Sequence, residues 1–183
     1  MKPEFIILDR DGVINEDSDA YIKSIDEWVP IQSSIKAIAL LSKHNIPVAI
    51  ATNQSGIGRG YYSTEIMQEI HIKLKNMVKQ LGGKIQHIAH CPHLPKDNCN
   101  CRKPKTGMIE EIQQTCNIKN LRNCYFIGDS HKDILAARTA GCLPVLVKSG
   151  KGKETLAKYP ELINEIPIYH DLLEVVTKYL KMD

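Results

Sequence analysis

The chain is 183 residues long, 43% hydrophobic and 25% charged, with a formal charge of +3. That is an ordinary soluble composition, large enough to bury one core and too weakly basic for a nucleic-acid stripe or an anionic membrane surface. No run approaches a membrane-spanning length and no charged leader precedes the first strand pattern, so a cytoplasmic protein is expected, its six cysteines serving as thiols or metal ligands.

Phe5-Ile6-Ile7-Leu8 is apolar and β-branched, the pattern of a strand buried on both faces. Ser33 or Ser34 can cap a helix running to about His44, with Ile35, Ile38 and Ala39 on one face. A second strand pattern covers residues 48–51. Ser63 can cap a longer helix in which Ile66, Ile70, Leu74, Met77, Val78 and Leu81 keep helical spacing until Gly82. Strand patterns at 85–89, 125–127 and 145–147 alternate with helices near 106–116 and 133–140, the latter closed by Gly141. Residues 171–180 look like a final amphipathic helix. This alternation predicts a doubly wound, mostly parallel α/β sheet in one domain, residues 1–183.

The first strand pattern ends in Asp9-Arg10-Asp11-Gly12. Gly12 permits a turn that aims both carboxylates at one small site, where their repulsion calls for a cation such as Mg²⁺. The plainer reading is a solvated Asp-Gly hairpin turn. Further strand ends favour the first reading: Thr52-Asn53-Gln54-Ser55 after the second, Arg102-Lys103 in the loop after the third, and Gly128-Asp129-Ser130 with Asp133 after the fourth. Carboxylates, a hydroxyl, an amide and two cations around one point suit phosphoryl transfer, which depends on placement and electrostatic stabilisation. Asp9 can attack phosphorus and Asp11 can protonate the leaving oxygen. Gly56-Ile57-Gly58-Arg59-Gly60 lacks the spacing and the strand-to-helix setting of a dinucleotide loop, and a flexible turn beside the phosphate is expected there.

Residues 91–105 form the one long irregular connection, and such loops are usually functional. Cys91, His93, Cys99 and Cys101 offer three thiolates and an imidazole, the ligands that a closed, structural Zn²⁺ site prefers. His90 is a competing ligand, less favoured because it lies at the strand end.

Together these motifs resemble the haloacid dehalogenase superfamily of phosphohydrolases. Asp9-Arg10-Asp11-Gly12-Val13 is similar to its first motif, Thr52-Asn53 to its second, Lys103 to its third and Gly128-Asp129-Ser130-His131-Lys132-Asp133 to its fourth. Cys91-Pro92-His93 followed by Cys99-Asn100-Cys101-Arg102-Lys103-Pro104 is similar to the zinc-containing branch, whose members act on a heptose 1,7-bisphosphate or on histidinol phosphate. The resemblance implies Asp9 as nucleophile and Asp11 as acid/base, with Thr52 and Lys103 completing the catalytic set. It also implies Mg²⁺ held by Asp9, the Asp11 backbone carbonyl and Asp129. Substrate contacts are expected from Asp9, Arg10 and Asp11, from Asp17, Ser18, Asp19, Ala20 and Tyr21, from Thr52, Asn53, Gln54 and Ser55, and from Arg102 and Lys103. Some heptose-directed members carry Lys where this chain has Ser130.

Short strand-to-helix insertions leave no room for a large cap domain. The expected reaction is removal of the 7-phosphate of the heptose bisphosphate by a monomer, in nucleotide-activated heptose biosynthesis, without nucleic acid or membrane. The alternatives are histidinol-phosphate hydrolysis and, from another class, a zinc-ribbon nucleic-acid module.

Overall fold

A computed structural model gives the fold of residues 3–183. Strand β1 (Phe5–Leu8) is buried along its whole length between two parallel neighbours, β2 (Val48–Asn53) and β4 (Cys124–Gly128). With β3 (Ile85–Cys91), β5 (Leu143–Val147) and β6 (Ile168–Tyr169) they form a six-stranded sheet in the order β3-β2-β1-β4-β5-β6. Every neighbouring pair is parallel, the doubly wound α/β arrangement expected. The chain winds outward one way from β1 and the other way from β4, so a crevice opens above the carboxyl ends of these two strands.

Side-chain alternation divides the sheet into two cores. Ile6 and Leu8 pack with residues of α1 (Gln32–Lys43), α3 (Thr64–Gln80) and the C-terminal segment. Phe5 and Ile7 pack with residues of α4 (Gly107–Thr115) and α5 (His131–Ala140). Asp9 extends the ladder, its N–H donating to the Ile127 carbonyl at 3.0 Å, and so falls on the α4–α5 side.

Ser63 caps α3 through Ile66 N–H, and Gly141 closes α5 with φ 82°, both as their residue types predict. The start of α1 differs. Ile31 is its N-cap, because the Ser34 hydroxyl donates to the Val13 carbonyl and Ser33 turns to Asp171. Helix α5 begins two residues earlier than its pattern, at His131, where Asp133 accepts from Ser130 N–H in a capping box. Residues 172–179 form a turn of α-helix, α7 (Leu172–Glu174), that widens into a π-turn over Val175–Tyr179. Helix α6 (Gly152–Lys158) and the two-residue β6 carry too little periodicity to read from sequence.

The glycine run is not a flexible turn. Ser55–Gly58 form one helical turn, α2, held because a β-carbon on Gly58 would meet the Pro92 carbonyl at 2.6 Å and one on Gly56 the Tyr62 ring.

Candidate active site and metal centre

Three carboxylates meet above β1 and β4: Asp9, Asp129 and Asp133 each place an oxygen within 4.8 Å of the others. Asp129 follows β4, and Asp133 sits one turn into α5. Lys103 enters from the loop before α4, 2% exposed, its Nζ 2.9 Å from Asp9 Oδ1 and 2.7 Å from Asp133 Oδ1. Asn53 positions Lys103 through the backbone, accepting from its N–H at 3.1 Å and donating to its carbonyl at 3.2 Å. Burial pulls the Lys103 ammonium down, but Asp133 and Asp9 outweigh it and its pKa rises.

One cation does not neutralise three buried acids. Burial first, then the Asp133 charge, pushes the Asp9 carboxyl up to about 7 despite Lys103. Burial, followed by Asp133 and Asp9, raises Asp129 well above the ordinary carboxylate range. Asp9 Oδ1 accepts from Arg10 N–H as well as pairing with Lys103, and Asp129 Oδ2 accepts from Lys151 N–H at 2.7 Å. Among the described residues, Asp9 Oδ2 and Asp129 Oδ1 have no donor. Two unpaired oxygens from adjacent strand ends, in an excess of negative charge, are a donor set for a hard divalent cation.

Asp11 stands outside this group, so the turn does not aim both Asp9 and Asp11 carboxylates at one cation. The Asp11 side chain is held elsewhere: Arg10 grips it through Nε and Nη2 at 2.9–3.1 Å, Asn15 donates at 2.9 Å and Gln54 at 2.7 Å. Burial alone raises the Asp11 pKa, yet Arg10 and these donors lower it overall. Tyr62 O–H donates to Gln54 Oε1 at 2.6 Å, which fixes the Gln54 amide with its N–H₂ toward Asp11 and the Thr52 hydroxyl.

The expected substrate residues divide. The Arg10 and Gln54 side chains are turned onto Asp11, and the Asn53 side chain is turned onto the Lys103 backbone. Thr52 accepts from Gln54, which leaves its own hydroxyl hydrogen available, and Ser55 opens α2 beside it. Asp17, Ser18, Asp19, Ala20 and Tyr21 form a rim loop in which Tyr21 adopts φ 65° and meets Tyr61 edge-on at 5.1 Å. Lys151 ties that loop down, with Nζ 3.4 Å from Asp17 and 3.1 Å from Asp19. Sequence reading missed Lys151 and gave Asp133 no role; the strand-end rule applied to β5 finds Lys151, which follows Ser149-Gly150.

Arg102, Lys103, Lys105 and Lys132 line a cavity of about 250 Å³ with no acid on its wall. A larger hollow of about 540 Å³ lies at the amino ends of the strands and contains none of these groups.

Cys91, His93, Cys99 and Cys101 form the second cluster, with His93 and not His90 at its corner. The edges are 3.5 Å for Cys91–Cys99 and Cys99–Cys101, 3.6 Å for Cys91–His93 and 3.2 Å for His93–Cys101. Tetrahedral Zn²⁺ with Zn–S near about 2.3 Å spaces its ligands by about 3.5–3.8 Å, so this set fits that ion.

Residues 100–175 match the family model described as HAD-hydrolase-like. The D-glycero-beta-D-manno-heptose-1,7-bisphosphate 7-phosphatase of Pseudomonas aeruginosa is 49% identical over 99% of this chain and 100% of its own length. The chain belongs to this heptose-bisphosphate phosphatase family. Its relative of the same name in Pseudomonas putida is 53% identical over 85% of this chain and 88% of that one. The crystal structure of D,D-heptose 1,7-bisphosphate phosphatase from B. bronchiseptica, complexed with magnesium and phosphate, has a TM-score of 0.92 at 43% identity, covering 99% of both chains. Membership of a heptose-bisphosphate phosphatase family bears out the resemblance to haloacid dehalogenase hydrolases and removes the zinc-ribbon reading.

Proposed function

We propose that this chain removes the 7-phosphate of D-glycero-β-D-manno-heptose 1,7-bisphosphate, acting as one phosphohydrolase domain over residues 1–183. The observation that carries the chemistry is the pairing of unsatisfied Asp9 and Asp129 oxygens beside Lys103 at the crevice of the sheet. The relatives' shared name carries the substrate and its β-anomer, and disfavours histidinol phosphate.

In this reading Asp9, Asp129 and the Asp11 backbone carbonyl hold Mg²⁺, the ion named for the B. bronchiseptica structure. The ion supplies charge neutralisation for the reacting phosphate. An Asp9 oxygen bonds to phosphorus as the bond from phosphorus to the sugar oxygen breaks, and Asp11 gives that oxygen a proton. Water then attacks the aspartyl phosphate while Asp11 takes its proton, and phosphate leaves with Asp9 restored. Lys103 counters charge on both Asp9 and the transferring group, and Asp133 holds Lys103 in place. The Thr52 hydroxyl, the 52–55 turn, the rim loop at 17–21 and the basic cavity at Arg102 receive the substrate.

The cysteine-histidine cluster holds structural Zn²⁺, which fixes the loop that delivers Arg102 and Lys103. The small charge supports an enzyme working without nucleic acid, the small size of the chain supports a monomer, and no helix among the described residues is long and apolar enough to cross a membrane. The reading extends to a cytoplasmic setting.

Phosphate release, measured with Mg²⁺ on both anomers of the bisphosphate and on histidinol phosphate, tests the proposal. The β-bisphosphate is expected to have the highest kcat/KM. A higher value for histidinol phosphate overturns it.

A further inference from the structure

We infer that His71 is a positioning residue for the acid/base carboxylate, acting through the buried Arg10 guanidinium to set how Asp11 meets the leaving oxygen. The inference rests on the phosphatase reading above and concerns a residue on α3 that touches none of the reacting groups.

Arg10 is 1% exposed. Its Nε and Nη2 grip Asp11, and its Nη1 lies 3.2 Å from His71 Nε2. Arg10 and Asp11 are sequence neighbours on one turn, and Asn15, another Asp11 partner, belongs to that same turn. A guanidinium holding only its neighbour can rotate together with it. Two side-chain contacts tie the guanidinium and the carboxylate to other elements: Gln54, after β2, and His71, in the body of a seventeen-residue helix. His71 is therefore the anchor of the guanidinium plane, as Gln54 is of the carboxylate.

The chemistry of the pair defines the state of the imidazole. Arginine is always a donor, so His71 Nε2 must present its lone pair, with its single proton on Nδ1. Burial, Arg10 and His90 agree, depressing the His71 pKa to about 3. Without an acceptor at this point, an Arg10 N–H is left buried and unpaired, and the guanidinium turns to find a partner.

The test compares His71→Met, which fills the space without an accepting nitrogen or oxygen, with His71→Gln, which keeps an acceptor. The first irreversible step, departure of the leaving group, bounds kcat/KM. A sugar alkoxide needs the Asp11 proton to depart, whereas nitrophenolate departs without it. His71→Met is expected to lower kcat/KM for the heptose bisphosphate by about 10- to 100-fold. It should lower kcat/KM for 4-nitrophenyl phosphate by less than about threefold, and His71→Gln should restore most of the sugar rate.

Equal losses on both substrates, or wild-type rates in His71→Met, overturn the inference. If His71→Met does not fold, His71→Gln decides: retained discrimination between the two substrates supports the role, and lost discrimination overturns it. A wild-type chain that hydrolyses neither substrate sinks the phosphatase reading instead.

Discussion

Gly12 and Gly150 meet directly behind the Asp129 carboxylate. A β-carbon on Gly150 would stand 2.5 Å from the Gly12 Cα and 2.2 Å from Asp129 Oδ2, and one on Gly12 would crowd the same oxygen at 2.2 Å. Both glycines have positive φ, 81° and 53°, which L side chains rarely adopt. The pair forms a notch that only glycine leaves open, and it presses Asp129 toward the crevice. Gly150→Ala is expected to weaken Mg²⁺ binding by about tenfold or more, since pushing on Oδ2 turns the carboxylate whose other oxygen, Oδ1, faces the metal, and a tenfold loss is about 1.4 kcal/mol. Calorimetric titration with Mg²⁺ measures it, and an unchanged affinity would remove the notch from the metal site.

Among the described residues, Lys103 is the one cation with its charge set between Asp9 and Asp133. Replacing it by Met keeps the stem but strands two buried carboxylates, a loss of about 3–5 kcal/mol when one partner of a buried pair is removed. Turnover should fall by about a thousandfold, because the same charge faces the transferring phosphate. Lys103→Arg should rescue neither, since a planar fork does not fit a point charge held by two carboxylates and an Asn53 clamp on its backbone. Urea unfolding and phosphate release report the two effects separately.

Protonation and metal binding oppose each other at Asp9. Its pKa is raised to about 7 in the metal-free fold, above the ordinary carboxylate range, so the folded state binds the proton more tightly than the unfolded chain. Metal-free stability should therefore fall as pH rises from about 4 to about 7, by up to about 1.4 kcal/mol per pH unit for this group. Asp129, raised for the same reason, adds to the slope. Mg²⁺ needs the ionised forms, so its affinity should climb by up to about tenfold per pH unit for each proton released, the Asp9 share of that rise levelling off above pH 7. Thermal unfolding with and without Mg²⁺ across that range checks the sign: a slope that rises, or that survives saturating Mg²⁺, is incompatible with it.

The parts of this site that sequence reading reached are those where a strand pattern ends abruptly. Asp9 and Asp129 follow buried runs, and parallel strands place such ends side by side on one rim. The fate of Asp11 was not accessible, because it depends on a tight turn whose Arg10 carbonyl accepts from the N–H groups of Val13, Ile14 and Asn15. That turn carries the carboxylate away from Asp9 and onto Arg10. Arg10, Gln54 and Asn53 are polar at strand ends, and the sequence does not show that their side chains also have partners inside the protein, on Asp11 and Lys103. Helix α1 starts at Ile31 despite two nearby serines, because tertiary contacts claim both hydroxyls. Of the residues missed, Lys151 is marked by the strand end of β5, whereas His71 meets Arg10 across elements far apart in the chain and no local pattern marks it.

Zinc loss should act on the loop before it acts on the sheet. Cys91 lies at the end of β3, while Cys99 and Cys101 belong to a segment with little regular hydrogen bonding that leads straight to Arg102 and Lys103. Cys101→Ser, or chelation, is expected to raise KM by about tenfold or more and to speed amide exchange over residues 91–105, with the sheet still protected. Metal analysis should give one zinc per chain. Global unfolding on chelation would show that the ion supports more than this loop.

Lys132 is the basic residue of the 250 Å³ cavity that has no ion-pair or hydrogen-bond partner among the described residues. Lys105 is spent on Asn98, Lys103 on its two acids, and Arg102 reaches only the His93 carbonyl, at 3.3 Å. Burial and then the Arg102 charge lower the Lys132 pKa, so like charges face one another there without an acid on the wall. A second phosphate on the substrate, bound in this cavity, would relieve that repulsion. Lys132→Ala should then raise KM for the bisphosphate by about 10- to 100-fold, the worth of one charge-assisted hydrogen bond, while kcat changes little. For a sugar carrying only the scissile phosphate the same substitution should leave KM unchanged. Parallel kinetics on the two substrates separate the cases, and an equal rise in both KM values would place Lys132 with the reacting phosphate rather than the remote one.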